Sequence, residues 1–348
     1  MSNNFSEIFK IHAFNGRLLL ASSSVVIRYR KLSNQDARKL ERKWNLIIWD
    51  YEKKRETVIQ YFDVNDNYYI VATDVTGNIC LFNSYDKSSY FVTVVCDLEP
   101  NNANKCPILI HPTLSGVIFA NFKPVSKNSH TYISKNSGKT FEKIQHEDKK
   151  SDLKLNIPCK YSQKKYFPKE WIIMTTGSVT NIRNNIYTNF VSFDGGQIWK
   201  IIRFSNLGEA AINGGGTIVV VNGETNKIAY SFDEGKTYYQ MPVFKNDDVL
   251  LNAFIVGTTI NERIVVYGRN SNKSRLMIAY FDFRSLLKHS CQIDDYSPWS
   301  VIRSNKNCYR GQERVYLKKN INSMCFDNQT YTLNITKPCP CDLEDFQW

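Results

Sequence analysis

Three short segments of the chain repeat one pattern: Ser134-Lys-Asn-Ser-Gly-Lys-Thr-Phe141, Ser192-Phe-Asp-Gly-Gly-Gln-Ile-Trp199 and Ser231-Phe-Asp-Glu-Gly-Lys-Thr-Tyr238. Each part of the pattern has a mechanical use. Asn136, Asp194 and Asp233 offer a side-chain oxygen to the amides that follow, Gly138, Gly196 and Gly235 take the positive φ of a tight hairpin, and the closing aromatics, Trp199 and Tyr238 among them, pack into a sheet. Ser134, Ser192 and Ser231 open the turns. A chain that repeats such a turn folds as successive antiparallel hairpins. It also spends the box carboxylates on the turn itself, so Asp194 and Asp233 are expected to be structural rather than catalytic.

The remainder reads the same way as far as His289. Asn67–Ala72, Gly116–Ala120, Thr217–Val221, Glu262–Gly268 and Leu276–Phe281 are β-branched and aromatic runs bounded by Gly, Asn, Asp and Ser, the signature of an all-β sandwich, barrel or propeller. Roughly twenty such strand candidates precede Cys291, enough for about five four-stranded blades. With 348 residues and 42% hydrophobic composition, the chain can bury a core without staples. Its longest apolar run, Arg17–Ile27, is broken by serines and falls short of the roughly 20 residues of a membrane-spanning helix. The segment from Met1 to Lys10 lacks the basic start and greasy core of a secretory leader.

From Cys291 the texture changes, because five of the nine cysteines fall in the last 58 residues and regular periodicity fades. Blades over 1–289 and a small cysteine-rich module over 290–348 are therefore expected. Cys96 and Cys106 flank an Asn-rich loop and could close it as a surface bridge, leaving Cys80 and Cys159 as buried thiols. A metal site is the alternative for clustered cysteines. It is disfavoured here, since no Cys-x-x-Cys pair occurs and His289 is the only nearby histidine, so no metal and no cofactor are expected.

Net charge is +12, which raises the question of nucleic acid. Arg28–Lys43 carries seven basic against two acidic residues, and Lys149–Lys169 seven against one. These two segments hold nearly all of the excess and fall where strand patterning lapses. They read as solvated insertions, and no nucleic-acid-binding motif accompanies them.

The repeated turn resembles the Asp-box hairpin found in propeller blades of sialidases and sortilins. The ordered set Cys291, Trp299, Cys308-Tyr-Arg-Gly311, Arg314, Cys325, Tyr331 and Pro338-Cys-Pro-Cys-Asp-Leu-Glu-Asp-Phe346 closely resembles the first half of the ten-cysteine region of the sortilin family, whose members bear the vacuolar-protein-sorting-ten domain. Gly177–Thr180, Gly214–Val221, Tyr280–Cys291 and, more thinly, Phe14–Ala21 are similar to family segments in matching order. The resemblance implies the pairings Cys291–Cys325 and Cys308–Cys339, with the counterpart of Cys341 bonded into a following module. It also implies that these residues correspond to about half of a ten-bladed propeller and half of the cysteine region. Any membrane attachment would come through segments absent from this chain. An incomplete ring would expose apolar sheet faces and self-associate.

A sortilin-like receptor binds peptides or proteins and carries them between Golgi, endosomes and the cell surface. The implied setting is lumenal or extracellular, in line with the cysteines and with the acceptor sites at Asn272, Asn328 and Asn334. Ser84–Tyr90 resembles the family segment that meets a ligand's terminal carboxylate with a basic side chain, which puts Lys87 in that role as a point charge. Two other classes stand beside this one. An intracellular Asp-box scaffold would keep its thiols reduced. A sialidase-type glycosidase would need a three-arginine cluster and a tyrosine nucleophile, and the sialidase arginine motif is missing near the N-terminus.

Overall fold

The computed structural model describes residues 8–14, 17–22, 28–31, 45–46, 58–64, 67–73, 77–84, 91–100, 105–124, 130–159, 163–180, 185–205, 208–245, 247–257, 263–287, 289–303, 307–329, 332 and 334–341. The chain divides into two compact units. One comprises 1–143 with 156–160, the other 144–155 with 161–348.

In the first unit, three antiparallel meanders follow one another. β1 (Ile8–Phe14), β2 (Arg17–Ser22), β3 (Arg28–Lys31) and β4 (Asn45–Leu46) form the first sheet. β5 (Val58–Val64), β6 (Asn67–Thr73), β7 (Ile79–Ser84) and β8 (Val92–Val95) form the second. β9 (Ile108–Ile110), β10 (Ile118–Asn121), β11 (Thr131–Ser134) and β12 (Glu142–Lys143) form the third. Alternation drives the packing. Tyr69, Val71 and Leu81 of the second sheet meet Ile108, Ile110, Ile118 and Ala120 of the third in one buried cluster, as expected for sheets covering each other's apolar faces.

This unit corrects the expected cysteine pairing. Cys96 does not bridge to Cys106. It bonds Cys80 instead, with Cα atoms 4.0 Å apart, and Cys106 bonds Cys159 across 53 residues. Strand register explains the choice. Leu81 pairs with Val95 between β7 and β8, which leaves Cys80 and Cys96 side by side at the end of that ladder. Cys106 sits beside a second segment through the Lys105–Pro158 bridge, and its amide donates to the Ile157 carbonyl. Cys80 and Cys159 are thus bonded rather than free.

In the second unit, β13 (Gln145–His146), β14 (Asp152–Leu155), β15 (Ile173–Thr180), β16 (Asn185–Ser192) and β17 (Ile198–Ile201) form a five-stranded sheet, with the short helix α1 (Gln163–Tyr166) between β14 and β15. β18 (Gly208–Ile212), β19 (Thr217–Asn222), β20 (Lys227–Ser231) and β21 (Tyr239–Pro242) form a four-stranded meander. β22 (Val249–Val256), β23 (Arg263–Arg269) and β24 (Leu276–Phe281) form a three-stranded one. Ile212, Val219 and Ile228 pack against Leu250, Ile264 and Val266 between the last two. Among the described residues six sheets precede the module, five of them plain meanders and one with β13 added parallel to β17, where the strand count suggests about five blades. The extra strands come partly from the basic segments, which are not plain insertions: Arg28–Lys31 is β3, and Asp-Leu-Lys-Leu in β14 buries Leu153 and Leu155 while its polar residues are less covered.

The cysteine-rich module is built from β25 (His289–Ser290), β26 (Tyr296–Trp299), β27 (Cys308–Tyr309), β28 (Gln312–Lys319), β29 (Cys325–Phe326) and β30 (Asn334–Pro338). β28 lies at its centre, paired with β26, β27 and β30. Cys291–Cys325 and Cys308–Cys339 are both closed, and Cys341 is an exposed thiol. The fold is all-β, Asp-box propeller blades followed by a disulfide-rich module.

Candidate functional site

The three repeated turns are built alike. The Ser192 hydroxyl donates to Asp194 Oδ1 at 2.7 Å and accepts from the Gly196 amide at 2.9 Å, while Asp194 Oδ1 takes the amides of Gln197 and Ile198 at 3.0 and 3.1 Å. Ser231 and Asp233 repeat this with Gly235 and Thr237 at 2.9 and 2.8 Å. Ser134 and Asn136 do so with Gly138 and Thr140 at 2.8 and 3.0 Å. Two consecutive residues are left-handed in each turn: Ser137 and Gly138, Gly195 and Gly196, Glu234 and Gly235. That is the paired positive φ of a type I′ turn, here set inside a longer hairpin loop. Trp199 is fully buried and its indole donates to the Gly196 carbonyl at 2.7 Å. Burial works to raise the Asp233 carboxyl, but hydrogen bonds from Thr237 and Ser231 outweigh it and hold the group below its ordinary range. Burial also pushes the Tyr238 hydroxyl up to about 12.

The turns serve a second purpose that the pattern does not reveal. Lys318 on β28 donates to the Phe193 carbonyl at 2.8 Å and pairs with Glu234 at 2.7 Å, so one cation ties the variable positions of two boxes to the cysteine module. Lys319, the next residue, is buried. Its ammonium donates to the Cys325 carbonyl, and burial lowers its pKa to about 8 against the pull of Asp327 and Asp295.

Beside it the Asn213–Gly216 turn closes on the module. Asn213 accepts from the Asp327 amide at 2.6 Å and donates to the Cys325 carbonyl at 3.2 Å, and the Tyr296 hydroxyl donates to Asp327 Oδ1 at 2.9 Å. Trp171 and Trp299 meet edge to face at 6.0 Å. The glycines here are steric requirements: a Cβ on Gly214, whose φ is +63°, would lie 1.7 Å from Asp327 Oδ2. Adjacent lysines on one strand normally signal a solvated edge, which is why Lys318 and Lys319 escape a reading of the sequence.

Other expected residues are placed more simply. Cys291, Asp295 and Cys325 bring donor atoms within 4.8 Å of one another, but both sulfurs are joined in the disulfide and are not thiolates. Asn272, Asn328 and Asn334 are exposed. In the Asn272 sequon, the Ser274 hydroxyl donates to Asn272 Oδ1 at 2.6 Å; Thr330 of the Asn328 sequon lies outside the described residues. Lys87 lies outside them as well.

Residues 257–347 match the family described as sortilin, neurotensin receptor 3, C-terminal. The human VPS10 domain-containing receptor SorCS1 is 22% identical over 330 residues, covering 86% of this chain and 27% of that receptor. The vacuolar protein sorting/targeting protein 10 of Blastomyces gilchristii is 25% identical over 340 residues, covering 87% of this chain and 22% of that protein. The chain thus spans about a quarter of the length of these relatives. Among solved structures, the β-propeller domain of the trilobed protease from Pyrococcus furiosus covers 79% of this chain and 95% of that one, at 7% identity and TM-score 0.32. The propeller assignment rests on the sheets and boxes rather than on that overlay.

Proposed function

The chain belongs to the sortilin family, and on that premise we propose that it is the ligand-binding portion of a sorting receptor, facing the lumen or the cell exterior. It takes peptides or proteins and travels with them between Golgi, endosomes and the surface. The disulfides support the setting. Four are closed, two within the first unit and two in the module, and structural bonds of this kind are characteristic of oxidising compartments and rare in the cytosol. Digestion without reduction, after alkylation, is expected to yield these four linked pairs and one alkylated thiol at Cys341. Free thiols at Cys291, Cys308, Cys325 and Cys339 would instead mean a reduced, intracellular scaffold.

Binding rather than hydrolysis is the reading the boxes favour. A glycosidase needs two carboxyl groups aimed at substrate, whereas Asp194 and Asp233 accept from their own turns. Residues 1–289 supply the binding blades and 290–348 the module that braces them, with glycans on Asn272, Asn328 and Asn334. Within the blades, Lys87 meets the ligand's terminal carboxylate. A charged hydrogen bond of this kind contributes about 1.5–3 kcal/mol, so Lys87→Glu should weaken a peptide with a free C-terminus by about 10–100-fold and leave its C-terminal amide nearly unaffected. Equal loss for both peptides, or no loss, removes Lys87 from the role.

A further inference from the structure

Four side chains of the cysteine module converge on one point. His289 and Cys291 are two residues apart, so an extended chain turns both to one face. β25 pairs in parallel with β29, which sets His289 opposite Cys325, and the Cys291 amide donates to the Phe326 carbonyl at 3.0 Å. Asp295 is brought back by the turn that follows, its Oδ2 accepting from the Gln292 amide at 2.8 Å. One donor atom each from Cys291, Asp295 and Cys325 lies within 4.8 Å of the others. His289 Nε2 stands 3.8 Å from Asp295 Oδ2, too far for a hydrogen bond.

Two thiolates, an imidazole and a carboxylate make a tetrahedral zinc donor set. Bonds of about 2.3 Å to sulfur and about 2.0–2.2 Å to nitrogen and oxygen hold neighbouring ligand atoms roughly 3.3–3.8 Å apart. The His289–Asp295 gap already has that width, and the sulfurs need only part by side-chain rotation. In the folded chain they are bonded to each other and cannot ligate. Every copy nevertheless begins as thiols, because the bond is made after synthesis by exchange with an oxidant. Two thiolates and one carboxylate around Zn²⁺ leave one net negative charge. The buried Lys319 ammonium, which donates to the carbonyl of Cys325 itself, compensates it, and the Gln292 amide gives the Asp295 carboxylate the outer-shell support that metal ligands require.

We propose that the thiol form of the module binds one zinc ion through His289, Cys291, Asp295 and Cys325, and that oxidation exchanges the ion for the Cys291–Cys325 bond. Binding releases the two thiol protons to water. On closure one thiolate attacks a sulfur of an oxidant disulfide, the other attacks the mixed disulfide, the oxidant leaves with both electrons as two thiols protonated by solvent, and Zn²⁺ returns to water. The ion holds β25 against β29 until the covalent bond replaces it. This stands apart from the receptor reading: a lumenal chain passes through the zinc form, and a chain kept reduced retains it.

The test uses the full chain carrying Cys341→Ser, reduced with a phosphine and freed of metal, with Co²⁺ as the spectroscopic probe. The first equivalent should give the intense visible bands of a tetrahedral site with a thiolate charge-transfer band, and Zn²⁺ should displace it. Asp295→Ala and His289→Ala should each weaken that equivalent by at least about 10–100-fold, the loss that even an outer-shell partner causes; His289 is exposed, so its removal leaves the core alone. Cys291→Ser should abolish the site, Cys308→Ser should spare it, and oxidised glutathione should release the cobalt as the Cys291–Cys325 bond appears. A reduced parent that takes up no ion at equimolar metal overturns the proposal. So does uptake indifferent to both His289→Ala and Asp295→Ala, which would be thiols gathering metal without these ligands, or uptake lost in Cys308→Ser and kept in Cys291→Ser, which would place it at the other cysteine pair. Equal binding by the oxidised parent overturns it too.

Discussion

Gly214→Ala should lower the stability of the second unit by about 3–5 kcal/mol, the range in which large single-residue effects with a named cause fall. Two costs add. The left-handed backbone, φ +63°, charges a residue with a Cβ about 1–2 kcal/mol. The new methyl would also sit 1.7 Å from Asp327 Oδ2, so the carboxylate must leave, although it is buried and its other oxygen accepts from the Tyr296 hydroxyl and the Gln329 amide, each at 2.9 Å. Moving it leaves buried polar groups unpaired, which is costlier than never having made the bonds. A fall in melting temperature of roughly 10 °C follows from the usual scaling.

Two controls separate the costs. At Gly77, φ +85°, a Cβ would meet nothing within 4 Å, so Gly77→Ala reports backbone strain alone; at Gly208 there is open space and no positive φ. The double variant Gly214→Ala with Asp327→Ala should be less damaged than the sum of its parts, because removing the carboxylate removes the collision. Additive effects would mean that the Asp327 contact is not the cause.

The same glycine illustrates what the sequence reveals and what it withholds. Ser-x-Asp-x-Gly is legible because every partner lies within a few residues, and the structure shows Asp194 and Asp233 holding their own loops. Strands such as Asn67–Thr73 and Leu276–Phe281 are legible because alternation and β-branching are local properties. The pairing of Cys80 with Cys96 is not. It depends on β7 and β8 being neighbours in register, whereas spacing along the chain favours Cys96 with Cys106, which border one loop. Lys318 and Lys319 are illegible for the same reason. Adjacent side chains on a strand point to opposite faces, and only the tertiary structure places one against two box turns and the other under the Gly214–Gly216 turn.

That buried lysine carries the other large expected effect, an alkaline rise in stability. Lys319 is 7% exposed, and burial brings its pKa down to about 8 from 10.5. Below about pH 8 the ammonium is present in both folded and unfolded chains, and the folded state bears the full cost of burying it. Between pH 8 and 10.5 the folded chain has released the proton while the unfolded chain keeps it. The unfolded state then binds more protons, and stability rises with pH by up to about 1.4 kcal/mol per unit. A gain of about 2–3 kcal/mol is expected across the window. Tyrosines limit it from above: burial raises Tyr238 to about 12 and raises Tyr296 and Tyr316 as well, so above pH 10 the unfolded chain loses phenolic protons first and stability falls again. Urea titrations from pH 7 to 10, on a Cys341→Ser background to suppress thiol–disulfide exchange, should show the rise for the parent and not for Lys319→Met. The methionine keeps the stem's packing and drops the charge, and the Cys325 carbonyl retains the Asn213 amide as a donor. If both variants rise with the same slope, another group is titrating and the cost assigned to Lys319 is wrong.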